Sequence, residues 1–177
     1  MLDANKYQVL SFDCYGTLVD WESGIIAGLR PVLRVHNVEA TDAEILDLHA
    51  QTEHKLQAAS KRGGYVKYRD VLGEEVREAG RRWGFEPSPS EVEALPDSVR
   101  YWLPFPDTVH ALRTLKGRYR LAIISNIDDG LFALMIFPAK IIFARSRVSS
   151  SVTRRPLITV CSTPILSANS FNCFPPP

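Results

Sequence analysis

Asp13 is the residue in this 177-residue sequence best placed for covalent chemistry. It ends a run of β-branched and aromatic residues, Tyr7 to Phe12. Gly16 follows, which allows a tight turn, then Thr17, whose hydroxyl can hydrogen-bond a carboxylate. A carboxylate is ionised at neutral pH, so at a strand end it needs only positioning and partial desolvation to act as a nucleophile. The plainer reading is an aspartate that caps the next turn. Ser125 and Asn126 close a second apolar run, Tyr119 to Ser125, and offer a hydroxyl and an amide that can hold a carboxylate or phosphate. Here the alternative is an ordinary turn after a strand. Cys14, between Asp13 and Tyr15, reads as packing. The three cysteines, Cys14, Cys161 and Cys173, are odd in number and widely spaced, without a CxxC or a Cys/His cluster. That pattern argues against a disulfide framework and against a structural zinc site, and no metal ligands are assigned.

Holding these groups together requires two buried parallel strands, and both apolar runs have that character. The sequence between them is helical. Trp21 to Asn37 carries Ile25, Ile26, Leu29, Val32 and Leu33 at spacings of three and four, with Pro31 predicting a kink or break. Thr41 to Glu44 reads as a capping box opening an amphipathic helix that Gly63-Gly64 stops. Tyr65 to Trp83 is a third helix with Gly84 as its C-cap, Ser90 to Arg100 a short fourth, and Thr108 to Lys116 a fifth, ended by Gly117 just before the second strand. A strand, a long helical excursion, then helix and strand predict an α/β fold. It is a Rossmann-like parallel sheet core with a helical cap inserted after the first strand, and ligands in such sheets bind outside the carboxyl ends of the strands.

Lys plus Arg number 21 against 20 Asp plus Glu, so charge gives no reason to expect nucleic acid or an anionic membrane as partner. The partner expected is a small-molecule substrate, with a homodimer left open. The first residues carry an acid early and lack a long apolar run, and the longest apolar stretch, 131–144, is interrupted by Pro138 and Lys140. Neither a signal peptide nor a membrane span is expected, and the chain reads as cytoplasmic. Composition breaks after Gly130. All 20 acids and all 10 glycines precede that point, and residues 131–177 hold only Lys140, four arginines, 7 serines and 6 prolines among their charged, Ser and Pro residues. One reading is a disordered basic tail. The abundance of Ile, Val, Phe and Leu favours another, a C-terminus out of register with the domain before it through frameshift, read-through or an alternative exon.

FDCYGTL, a helical cap, and then PFPDTVHALRTLKGRYRLAIISN resemble the haloacid dehalogenase superfamily, in particular its type II haloacid dehalogenase branch, over roughly residues 5 to 135. The resemblance implies a core of residues 1–20 and 104–137, a cap of 21–103, and an atypical tail of 138–177. Phosphatases of the superfamily carry Asp-x-Asp, whose second acid protonates the leaving alcohol. Tyr15 stands there instead. A phenol of pKa ~10 is a poor acid at neutral pH, but a halide leaves without a proton.

The implied reaction is a two-step displacement. Asp13 attacks the halogen-bearing carbon of a short 2-haloacid to form an aspartyl ester, which water then hydrolyses. Thr17 would orient Asp13, while Tyr15, Ser125, Asn126 and the backbone amides near Tyr15 and Leu18 would hold the substrate carboxylate. No cofactor is implied; Mg²⁺ enters only under a phosphatase alternative. The family's halide-receiving cap arginine, counted back about sixteen residues from Tyr65, falls on His49. That residue reads either as an acceptor active only when protonated, or more simply as a polar helix-surface residue beside His54. The later lysine and acid motifs have no counterpart after Gly130, where Lys140 comes too early. From that gap follow an incomplete core, with Ile123, Ile124 and Phe132 expected to stand exposed, and a third alternative, a non-catalytic truncated chain.

Overall fold

The computed structural model describes residues 7–63, 66–125 and 127–135. In chain order the elements are β1 (Val9–Phe12), α1 (Trp21–Val35), α2 (Asp42–Gly63), α3 (Tyr68–Trp83), α4 (Pro89–Ser98) continued by a 3₁₀ turn at Val99–Tyr101, α5 (Thr108–Lys116), β2 (Arg120–Ile123) and α6 (Asp129–Leu134). The described residues form two compact units. One is an α/β unit of 7–20 and 103–125, and the other a helical unit of Trp21–Trp102 and Ile127–Met135. Ile127–Met135 thus group with the helices rather than with β2. Residues 136–177 lie outside the described residues, and with them the expectations for the tail and for Lys140.

In the α/β unit, β1 and β2 pair in parallel, with Val9 opposite Arg120 and Phe12 opposite Ile123. Main-chain bonds from Arg120 N to the Gln8 carbonyl (2.9 Å) and from Ile124 N to the Phe12 carbonyl (2.8 Å) carry the ladder beyond the strand ends. Each strand is shorter than its apolar run because ladder pairing, not hydrophobicity, sets its limits. Ile123 is 1% exposed, and Ile124 and Phe132 are half-buried. The exposed apolar patch expected at these three residues is therefore absent.

The helical unit buries the stripes its periodicity predicts. α1 turns Ile25, Leu29, Val32 and Leu33 inward, and α3 buries Val71, Leu72, Val76 and Ala79. α1 runs unbroken through Pro31, against the expected kink. Pro31 and Ala27, whose carbonyl loses its N–H partner, are both exposed, so water can take that bond while the apolar face stays packed. Gly28 permits close approach of α4, since a Cβ there would lie 2.5 Å from Ser98 Oγ and 2.7 Å from Leu95 Cδ1.

The capping box at α2 is formed: the Thr41 backbone N–H donates to the Glu44 carboxylate (2.8 Å), and the Glu44 N–H donates to Thr41 Oγ1 (3.3 Å). A second box, at Ser88 and Glu91 with Pro89 in the first turn, opens α4 one residue earlier than the expected Ser90. α3 starts at Tyr68, after Lys67, and ends on Gly84, which adopts φ 78° and donates to the Gly80 carbonyl (2.8 Å). α6 has no counterpart among the elements expected from sequence. Asp128 starts it, accepting from Leu131 N (3.0 Å) through Oδ1 and from Arg69 N (3.1 Å) through Oδ2, which ties the segment to the first turn of α3. Among the described residues, no helix is long and apolar enough to cross a membrane.

Candidate active site

The register that sets Phe12 opposite Ile123 brings Asp13 and Ser125 out at the carboxyl ends of two adjacent parallel strands. Main-chain hydrogen bonds hold Asp13 there. Its Oδ1 accepts from Cys14 N–H (2.7 Å). Leu18 N and Val19 N both donate to the Cys14 carbonyl (2.8 and 3.0 Å), and Gly16 N donates to the Val19 carbonyl (3.0 Å). Gly16 has φ 74°, in the left-handed region where a side chain would be strained, so the turn after the nucleophile candidate requires a glycine.

The far end of the turn is anchored to the start of α5. The Leu18 carbonyl accepts from Phe105 N–H (3.2 Å) and from the buried Thr108 hydroxyl (3.1 Å). Asp20 N donates to the Leu103 carbonyl (2.9 Å). Thr108 went unnoticed in the sequence, where its only signal is a hydroxyl at the first position of the helix after PFPD.

Asp13 stays accessible to solvent, yet the protein around its carboxyl raises its pKa above the ordinary carboxylate value by desolvation, opposed by the Cys14 N–H. This is the environment of a carboxylate that remains available and has lost part of its hydration. Cys14 beside it is 2% exposed, and burial, with the Asp13 charge, pushes its thiol up to about 12. Its role as packing, not nucleophile, follows from that.

Thr17 is exposed at the crest of the turn and, among the described residues, makes no hydrogen bond with Asp13. Tyr15 is half-buried and forms a bridge with Val19. Leu18 packs its side chain inside, and its N–H is committed to the Cys14 carbonyl, which removes that amide from the expected substrate cradle. Ser125 is fully buried at the end of β2. Asn126 lies outside the described residues.

His49 corrects the sequence reading. It is not a surface residue but is 3% exposed on α2, with Nδ1 2.8 Å from Oε2 of Glu75, itself fully buried on α3. Glu53 stands 4.0 Å from Nε2. An imidazole claimed by two carboxylates is poorly suited to receive an anion. The signal was present in the sequence, because Glu75 falls inside the apolar stripe of Val71, Leu72, Val76 and Ala79. Among the described residues, no three His, Cys, Asp or Glu side chains stand together as a metal site would need.

No protein-family model matches the sequence, and no curated protein sequence matches it. Solved structures do. The L-2-haloacid dehalogenase of Xanthobacter autotrophicus, with chloropropionic acid covalently bound, superposes at a TM-score of 0.61 and 21% identity, over 73% of this chain and 51% of that one. A dehalogenase structure matches at 0.64 and 20% identity, over 80% and 61%. A HAD-hydrolase of Bacillus subtilis bound to magnesium matches at 0.53 and 18%, over 75% and 64%. The chain thus spans about half the length of the Xanthobacter enzyme. The chain, with its parallel β1–β2 pair and the helices inserted between the two strands, thus shares the fold of these L-2-haloacid dehalogenase structures.

Proposed function

We propose that this chain carries the nucleophile-bearing part of a haloacid dehalogenase-like hydrolase that acts on carbon–halogen bonds of short 2-haloacids. The observation that carries the reading is Asp13, turned out at the carboxyl end of β1 beside Ser125, with Tyr15 where an acid would serve a phosphoester. In the first step an Asp13 carboxylate oxygen bonds to the halogen-bearing carbon, and the carbon–halogen bond breaks with its electron pair leaving on the halide. In the second, water attacks the ester carbonyl, releasing the 2-hydroxy acid and a proton and regenerating the Asp13 carboxylate. Tyr15, Ser125 and Asn126 hold the substrate carboxylate, and the Cys14 N–H, donating to its Oδ1, orients Asp13. No cofactor takes part. The covalently bound chloropropionic acid of the Xanthobacter enzyme supports the ester intermediate by likeness of fold.

The experiment compares halide release from 2-chloropropionate with phosphate release from a phosphomonoester, each with Mg²⁺ and with EDTA, using this chain at high concentration and single turnover. Halide release that EDTA leaves intact supports the reading. Mg²⁺-dependent phosphate release would replace it with a phosphatase, and absence of both reactions in a cooperatively folded chain would favour a non-catalytic one.

A further inference from the structure

The interior of the helical unit holds a polar pair that the chemistry at Asp13 does not use. His49 on α2 and Glu75 on α3 are 3% and 0% exposed, joined by the 2.8 Å contact between Nδ1 and Oε2. Glu75 Oε1 is buried and takes no hydrogen bond from any described residue. On the other side of the imidazole stand Glu53, 4.0 Å from Nε2 and partly exposed, and the Trp21 ring of α1, with centroids 4.9 Å apart. Glu75 and Glu53 are the charged groups that face His49 from the helices packed around it.

A carboxylate with one oxygen unpartnered is costly to bury, and a protonated imidazole beside it offsets that cost. We infer that the His49–Glu75 pair is a proton-holding switch within the helical unit, keeping one proton in the α2–α3 interface and weakening that interface when the proton leaves. With the proton gone, Glu75 is a buried anion facing a neutral ring, with Glu53 adding a second negative charge nearby. The titration directions agree. Burial works to lower the His49 pKa, but the hydrogen bond and charge of Glu75, with the charge of Glu53, outweigh it and the result is raised. Burial raises Glu75, against the hydrogen bond and charge of His49. Groups whose folded values are raised contribute stability on the acid side and lose it as pH rises through those values, so the unit weakens toward alkaline pH through the His49 value.

The inference stands on the helical unit alone and is independent of the reaction proposed for Asp13. It is tested on the full chain by following imidazole resonances against pH by NMR, with His49 identified through its α2 backbone, beside urea midpoints from about pH 6 to about pH 9. His49 should titrate above the ordinary ~6.5, the urea midpoint should fall across the same interval, and Glu75→Gln should flatten that fall. His49 titrating at or below the ordinary value, or Glu75→Gln leaving the pH slope unchanged, would overturn the inference. If Glu75→Gln does not fold, the titration of His49 in the unmodified chain decides alone.

Discussion

Gly24→Ala measures how tightly the helical unit is assembled. A Cβ built on Gly24 would lie 2.5, 2.6 and 2.7 Å from Cδ2, Cγ and Cδ1 of Trp102, about 1 Å inside the usual ~3.5–4.0 Å carbon separation. The indole cannot easily yield. It is 4% exposed, its Nε1–H donates to Ser98 Oγ (3.1 Å), and that hydroxyl donates in turn to the Leu95 carbonyl (2.7 Å). Overpacking of this kind costs roughly 1–3 kcal/mol, and losing the indole hydrogen bond adds about 1 kcal/mol. Replacing a helical glycine by alanine returns about 1 kcal/mol. The net expectation is a loss of about 1–3 kcal/mol. Gly73→Ala in α3 is the control, because its Cβ would come no nearer to any atom than 3.4 Å, to Val92 Cγ1, and so keeps most of the helix-propensity gain. Urea unfolding followed by circular dichroism and tryptophan fluorescence compares the two. If Gly24→Ala proved as stable as Gly73→Ala, the close approach of Trp102 to α1 would be wrong.

Three further outcomes are expected. Tyr15→Asp should not raise halide release from 2-chloropropionate, since the leaving halide needs no acid; a several-fold gain, measured by halide assay, would mean that proton donation limits the reaction. In the folded chain Cys14 should resist alkylation at about pH 8 and react only after denaturation, because its thiol is held up at about 12; peptide-resolved mass spectrometry distinguishes it from Cys161 and Cys173. Any halide release should fall on acidification at a higher pH than for an ordinary carboxylate, because desolvation raises Asp13 and only the ionised form attacks. A rate that held through that range would remove Asp13 from the first step.

The parts of the molecule governed by neighbours in sequence were legible before the structure. Asp13, Gly16 and the strand before them form one local pattern, and the Thr41–Glu44 box and the Gly84 cap are each decided within a few residues. What escaped depended on partners far along the chain. The side chain that claims His49 lies 26 residues away on another helix, so the residues around His49 do not show which group partners it. Asp128 and Arg69 meet across 59 residues, and with them α6 gains a place that its short sequence does not announce. α1 continues through Pro31 for a related reason. Helix propensity counts the lost hydrogen bond, whereas packing of Leu29, Val32 and Leu33 decided the outcome.

Formation of a covalent ester between Asp13 and substrate is tested directly by peptide mass spectrometry of the chain quenched after incubation with 2-chloropropionate. A propionate-derived mass increment is expected on the peptide containing Asp13, absent from Asp13→Asn, or, if the ester turns over in ¹⁸O-labelled water, label in the Asp13 carboxylate. Halide release with neither adduct nor label on Asp13, and undiminished in Asp13→Asn, would contradict ester formation at Asp13.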